Sequence, residues 1–332
     1  MSAKPIIEEL PAAPLLAQRV ARQRTTNVRH HFTIDVEEYF QVSALEPYVA
    51  RDRWQTLESR VVQGMERLLE LLSEHEVQAT CFVLGWIAER HPQLIRNLSD
   101  CGHEVASHGW DHRRVTQQTS AEFRTSVRRS KDALEDIVGR RVLGFRAPSF
   151  SIVEGREWAL DILAEEGYRY DSSLFPIRRP GGYGYASAHY DAHWLERPSG
   201  LLAEFPPATL GVLGMRVPAA GGAYFRLLPY RLVHAAFDSS TQRGSAATFY
   251  IHPWELDPDQ PRFPVPLPVR LRHYGGLHRT APRLRRILSQ FCFQTIESTL
   301  MDLHPLHLGA MPSLQASPVN SDLDGRSTPP RS

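Results

Sequence analysis

Two histidines four residues apart, in Ser107-His108-Gly109-Trp110-Asp111-His112, are the residues of this chain best suited to chemistry. At that spacing on one turn, both imidazoles can be aimed at a single point. A divalent metal of the zinc type prefers neutral ring nitrogens together with carboxylate oxygen. The carboxylate is available upstream, in Thr33-Ile34-Asp35-Val36-Glu37-Glu38. Along an extended strand Asp35 and Glu37 point to one side and Val36 to the other. Two acids on one face repel each other unless something positive lies between them. A metal held by Glu37, with Asp35 beside it as a base, supplies that compensation. Each motif alone has a plainer reading: a solvated acid pair, and histidines that merely satisfy local hydrogen bonds.

Three further clusters follow predicted strands. In Arg146-Ala147-Pro148-Ser149-Phe150 the arginine, which cannot lose its charge, is suited to orient a catalytic carboxylate. Pro148 would fix that loop and Phe150 could wall a sugar-sized groove, although a surface arginine before a turn reads as well. Tyr170-Asp171-Ser172-Ser173-Leu174-Phe175 offers Asp171 as a loop cap or as part of a small acyl pocket. Phe249-Tyr250-Ile251-His252-Pro253-Trp254 places a histidine at a strand end. Because imidazole titrates near neutrality, His252 is a natural proton donor to a leaving group, or else a ring stacked on Trp254. His103 lies one residue out of phase with the strand positions and reads as structural.

The elements that must position these residues alternate between strand and helix. Val61, Met65, Leu68 and Leu72 share a helical face, and Ala79 to Leu84 reads as a buried strand. A helix from Pro92 to Leu98 and a strand from His103 to Ser107 follow. Thr119-Ser120-Ala121-Glu122 is a capping box opening a helix that buries Phe123, Val127, Leu134 and Val138 and stops at Gly139. Arg141 to Phe145 is extended, Trp158, Ile162 and Leu163 line a helix, and Tyr168 to Tyr170 is extended again. This order argues for a parallel sheet or barrel, with the chemical residues just past the strand ends where such folds assemble active sites. From Phe175 to Tyr230 the alternation fails and a long loop or insertion is expected. A strand over Ala246 to Ile251, a helix over Leu284 to Leu288 and a strand over Phe291 to Ile296 then restore it. Residues 1–28 and 304–332 read as disordered tails around a catalytic domain at 29–303.

Bulk properties narrow the partners. Lys+Arg 38 against Asp+Glu 37 leaves no overall basic excess for nucleic acid. Three scattered cysteines do not suggest a disulfide framework. No run is apolar and long enough to span a bilayer, and the N-terminus does not read as a signal peptide, so a cytoplasmic protein is expected.

Together these residues resemble the polysaccharide deacetylase family, the NodB-homology or chitin-deacetylase-like group, over roughly residues 30 to 300. Thr33 to Glu37 is similar to the first motif, an Asp base followed by an acidic metal ligand. Here Val36 stands where a second aspartate is common, and Glu37 looks like the displaced ligand. Ser107-His108 to His112 resembles the second motif, Arg146 to Phe150 the third, Asp171 to Phe175 a fourth without its tryptophan, and Ile251-His252 the fifth. Gly221 to Arg226, His252 to Glu255 and Arg272-His273-Tyr274 are similar to an exosortase-associated branch placed with exopolysaccharide biosynthesis.

The resemblance implies an α/β fold, a distorted (β/α)7 barrel. It implies a divalent metal, Zn2+ by preference, on Glu37, His108 and His112, with Asp35 as base, Arg146 as its partner and His252 as acid. Pro148, Phe150, Asp171 and Trp254 are then assigned to substrate contact. The substrate implied is an N-acetylated amino sugar in a polysaccharide or lipid-linked oligosaccharide, met in the cytoplasm or at the inner membrane face. A metal-independent, allantoinase-like cyclic amidohydrolase and a degenerate glycan-binding protein are the competing expectations.

Overall fold

The structure is a computed structural model that describes residues 28–178, 183–219 and 221–302. Residues 1–27 of the expected N-terminal tail, and all of the C-terminal one, lie outside the described residues. In chain order the strands are β1 (His30–Val36), β2 (Thr80–Val83), β3 (Glu104–Ser107), β4 (Gly144–Phe145), β5 (Tyr170–Asp171), β6 (His193–Arg197), β7 (Gly200–Glu204), β8 (Thr209–Val212), β9 (Met215–Pro218), β10 (Thr248–Ile251) and β11 (Phe293–Gln294). The helices are α1 (Val61–Glu74), α2 (Gly85–Arg90), α3 (Pro92–Asp100), α4 (Ser120–Val138), α5 (Trp158–Glu165), α6 (Gly222–Leu227), α7 (Tyr230–Gln242), α8 (Leu267–Tyr274), α9 (Thr280–Gln290) and α10 (Ile296–Asp302).

The main sheet runs β10-β1-β2-β3-β4-β5-β7-β6. From β10 to β7 every pairing is parallel, and β6 is added antiparallel to β7. The short β11 pairs with the start of β1. The sheet curls: Pro207, just past β7, bridges in parallel to Thr248 of β10, so its two ends approach one another. This is the parallel, barrel-like arrangement that the strand–helix alternation predicts.

Both faces of the sheet are covered, which is why β1 is buried at every position. Phe32, Ile34 and Val36 join the main core with the inner faces of α1, α4 and α5. The intervening β1 residues face the other way, where Phe82, Ala106, Tyr170 and Phe205 fill a separate cluster. Polar Thr33 and Asp35 are on that inner side by strand alternation, so their partners must also be buried.

Helix α4 starts as its sequence requires. Thr119 accepts a hydrogen bond from the Glu122 amide at 3.2 Å, the Glu122 carboxylate accepts one from the Thr119 amide at 2.8 Å, and Gly139 closes the helix at φ 67°. Replacing Thr119 with Ala should lower unfolding stability by about 1 kcal/mol in a denaturant titration, the usual value of an N-cap. An unchanged midpoint would show that the box contributes nothing here.

The stretch expected as a long loop or insertion is an insertion with strands of its own. β6 and β7 form a hairpin turned at Pro198-Ser199, with Gly200 at φ 130° as the first residue of β7. Leu195, Leu202 and Ala203 are buried by this hairpin, and β7 becomes the last parallel strand. The strands escape notice for a physical reason: β7 is exposed at its first two residues and buried at its last three, with no alternation, and turn residues lie on either side. β8 and β9 form a second, separate hairpin.

Candidate active site

The chemical residues sit on or just past the C-terminal ends of parallel strands: Asp35 near the end of β1, Glu37 after it, His108 after β3, Arg146 after β4, Ser172 after β5 and His252 after β10. In parallel α/β folds that edge of the sheet carries the loops that converge on a ligand.

Asp35 is held from behind by Arg146. Nη1 of this fully buried arginine donates to Asp35 Oδ1 and to Thr33 Oγ1, both at 2.7 Å. Nε donates to the Ser172 carbonyl and Nη2 to Ser172 Oγ, at 3.2 and 2.8 Å. The guanidinium also lies 4.1 Å over the Phe82 ring. The fork is therefore fixed on several sides, and the carboxylate receives a charge-assisted bond in a setting that excludes water. Oδ1 is bonded inward, leaving Oδ2 facing the cavity and the His252 ring at 3.8 Å.

Glu37, His108 and His112 offer ligand atoms that all lie within 4.8 Å of one another, and all are buried. A carbonyl oxygen can only accept, so the 2.8 Å contact from His108 Nδ1 to the Arg146 carbonyl places the proton on Nδ1 and leaves Nε2 for a metal. Burial lowers His108 to a pKa of about 4, so the ring is neutral at ordinary pH, as a ligand must be. Burial alone would raise Glu37, but the imidazoles of His112 and His252 outweigh it and hold the carboxyl down to about 2.

Glu37 Oε2 approaches His112 Nε2 to 2.8 Å without meeting hydrogen-bond geometry, and is otherwise without a partner. A buried carboxylate oxygen left unsatisfied beside two imidazoles is what a cation site presents. The residues fit the metal. His112 holds this place at φ 59°, an uncommon value for a residue with a side chain; its carbonyl accepts from Arg51 at 3.4 Å.

Across the cavity His252 is clamped by groups absent from the expected site. Its Nδ1 donates to Glu255 Oε1 at 2.7 Å, and Glu255 Oε2 accepts from Arg226 Nε at 2.5 Å. Arg226 is fully buried and also donates to the carbonyls of Arg272, His273 and Gly275. His252 Nε2 is thereby directed at the acids, 3.6 Å from Glu37 Oε1 and 3.8 Å from Asp35 Oδ2. Burial would lower its pKa, but Glu37, Glu255 and Asp35 together raise it to about 9. The 3-10 turn Pro253–Leu256 brings Glu255 beneath the ring, an i to i+3 relation legible in His252-Pro253-Trp254-Glu255. Arg226 leaves no comparable local signal.

Asp35, Glu37, His108, His112, Arg226 and His252 line a cavity of about 340 Å³, room for a small ligand. Phe150 forms one wall with Tyr183 and Tyr250, its ring 4.9 Å from that of Tyr250. Ser149 and Phe150 take left-handed φ values of 55° and 52°, a local kink that turns the Phe150 ring inward beside Pro148. Trp254 lies opposite, stacked between His252 and His273, and donates to Glu37 Oε1 at 3.1 Å. Of the residues expected to touch substrate, Phe150 and Trp254 line the cavity, whereas Pro148 and Asp171 do not. Pro148 is buried in the turn that carries Phe150. Asp171 is fully buried, accepting from Ser173 Oγ at 2.6 Å and from the Ser173 amide at 3.1 Å, which is the capping role. His103 is structural, its Nδ1 accepting from the Ala79 amide at 3.0 Å.

Comparisons with known proteins match the chain in two segments. Residues 51–170 match the polysaccharide deacetylase family model, and residues 172–301 match a domain of unknown function, DUF3473. The chain is 29% identical over 113 residues to the peptidoglycan deacetylase of Helicobacter pylori, covering 33% of this chain and 37% of that protein. It is 35% identical over 81 residues to the peptidoglycan-N-acetylglucosamine deacetylase PgdA of Listeria monocytogenes, covering 24% and 17%. The chain thus spans well under half the length of these curated relatives.

A Mycobacterium smegmatis structure assigned as a polysaccharide deacetylase superposes with TM-score 0.61 at 22% identity, covering 94% of this chain and 99% of that one. The allantoinase PuuE gives 0.57 at 16%, covering 85% and 92%, so the shared feature there is the fold. The first family match contains His108, His112 and Arg146, and the second contains Arg226, His252 and Glu255, so the cavity is built from both. Residues 51–170 thus match the polysaccharide deacetylase family, and the curated relatives, which are peptidoglycan deacetylases, support the likeness to its NodB-homology group.

Proposed function

We propose that this chain is a metal-dependent hydrolase that removes N-acetyl groups from amino sugars of a polysaccharide or its lipid-linked precursor. The observation that carries the reading is the convergence of Asp35, Glu37, His108, His112 and His252 on one cavity. The names of the peptidoglycan-acting relatives favour an N-acetylglucosamine unit. The resemblance of the C-terminal part to the exosortase-associated branch favours an exopolysaccharide, met in the cytoplasm at the inner membrane face.

Glu37, His108 and His112 would hold the metal, and a Glu/His/His donor set suits Zn2+. Bound there, it supplies Lewis acidity toward the acetyl carbonyl and makes water a better nucleophile. The chain's own groups do the rest. Asp35, oriented by Arg146, accepts the proton of the attacking water at its free Oδ2. His252, protonated because of the acids around it, gives its Nε2 proton to the amide nitrogen as the carbon–nitrogen bond breaks. Phe150 and Trp254 flank the sugar and limit the water that reaches the acyl group. Acetate and a free amino sugar leave.

Metal content tests the reading. The purified chain should retain about one divalent ion, and His108→Ala should weaken its hold at least tenfold, as expected for loss of one ligand from a three-ligand site. Acetate release from an N-acetylhexosamine glycan should stop on chelation and return with Zn2+. Turnover that survives both chelation and His108→Ala would sink the proposal and favour the metal-independent cyclic amidohydrolase.

A further inference from the structure

We infer that the face formed by α8 and the end of α6 docks on an anionic lipid surface beside the cavity mouth. Leu267 and Leu271 are one helical turn apart, and both are largely in water, 64% and 57% exposed. Leu227, 46% exposed, ends α6 close to α8, since a Cβ placed on Gly275 would lie 3.1 Å from its Cδ2. Leucines grouped on a surface this way mark a contact of some kind.

Charge selects which contact. Between Asp259 and Glu297 the sequence has no acidic residue, while arginine recurs at Arg262, Arg270, Arg272, Arg279, Arg283, Arg285 and Arg286. That segment is strongly basic within a chain whose net charge is only +1. Arg262, Arg270 and Arg272 are exposed, and none has a salt-bridge partner among the described residues. Arginines beside exposed leucines suit a bilayer interface, where guanidinium groups meet phosphates while apolar side chains enter the acyl boundary. A soluble acidic polymer would satisfy the arginines and leave the leucines in water.

The location gives the contact a use. Arg272 and His273, on the same helix, line the cavity. A chain resting on this face would hold its cavity mouth next to headgroups, within reach of a glycan anchored in the same leaflet.

Vesicle co-sedimentation of the full chain tests this without any turnover, so its failure is distinct from failure of the hydrolase reading. The chain should pellet with phosphatidylcholine/phosphatidylserine vesicles and not with phosphatidylcholine alone, and less so as salt rises. Paired replacement Leu267→Gln and Leu271→Gln should weaken partition about tenfold, from lost apolar burial. Arg262→Gln and Arg270→Gln should each cost about fivefold, the equivalent of ~1 kcal/mol per arginine near an anionic surface. These four side chains lie outside the site, so acetate release from a soluble substrate should be unchanged. Absence of vesicle binding would overturn the inference. So would binding indifferent to the leucines, or binding to an acidic polysaccharide in place of vesicles.

Discussion

Asp35→Asn is expected to leave a folded, metal-loaded protein that releases acetate about a thousandfold more slowly, within the usual range for loss of a general base. The substitution is nearly isosteric, and its amide oxygen can still accept the 2.7 Å bond from Arg146. The buried arginine therefore keeps that acceptor along with Thr33 Oγ1 and the Ser172 groups, and its charge is not stranded. What is lost is the basic Oδ2 on the cavity side. Removing the arginine is a different experiment: Arg146→Ala would leave Asp35 buried without its counter-charge and vacate a fully buried volume, so much of its effect would be on stability. Asp35→Asn separates chemistry from folding when metal content and thermal midpoint are measured beside turnover. Acetate release within tenfold of the wild type would show that the base is elsewhere.

Much of this architecture is legible in the sequence because its signals are local. The capping box of α4, the apolar periodicity of α1 and the strand endings at Asp35, His108 and Arg146 each depend on a few consecutive residues. The grouping of Glu37, His108 and His112 is readable for the same reason, since the histidine spacing and the Asp-x-Glu pair are local. The parts that escape are set by distant contacts. β7 reads as loop because its partner β5 lies about thirty residues upstream and its flanks are rich in turn residues. Asp171 is a nearer case: the sequence offers it as a loop cap or a pocket residue, and bonds to the Ser173 hydroxyl and amide two residues on decide for the cap. Arg226 is legible only through resemblance: Gly221 to Arg226, His252 to Glu255 and Arg272 to Tyr274 stand out together, but nothing local shows that the guanidinium bonds Glu255 and the carbonyls of Arg272, His273 and Gly275.

That hidden pair leads to the second large effect, expected in the pH dependence. Glu255→Gln should lower kcat/KM about a hundredfold near neutral pH and move the alkaline limb of the profile toward lower pH. The sign follows from the charges. The limb reports loss of the His252 proton, and the carboxylates of Glu37, Glu255 and Asp35 raise that proton's pKa to about 9 against the effect of burial. Removing one carboxylate destabilises the imidazolium, so the acid form is lost earlier as pH rises. The amide can still accept the 2.7 Å bond from Nδ1, so the ring should keep its place while its acidity changes. Arg226 keeps three backbone carbonyl acceptors and need not rearrange. His252→Ala should abolish the limb altogether, with a rate deficit of about a hundredfold to ten-thousandfold. A glutamate that only braces the 3-10 turn would lower stability and leave the limb in place. An unmoved limb in Glu255→Gln would therefore reduce the Arg226–Glu255 pair to scaffolding. A limb that survives His252→Ala would remove His252 from the role of acid. A shift in the first and a loss in the second would give the segment matched to a domain of unknown function a definite task, holding the proton donor over a base supplied from β1.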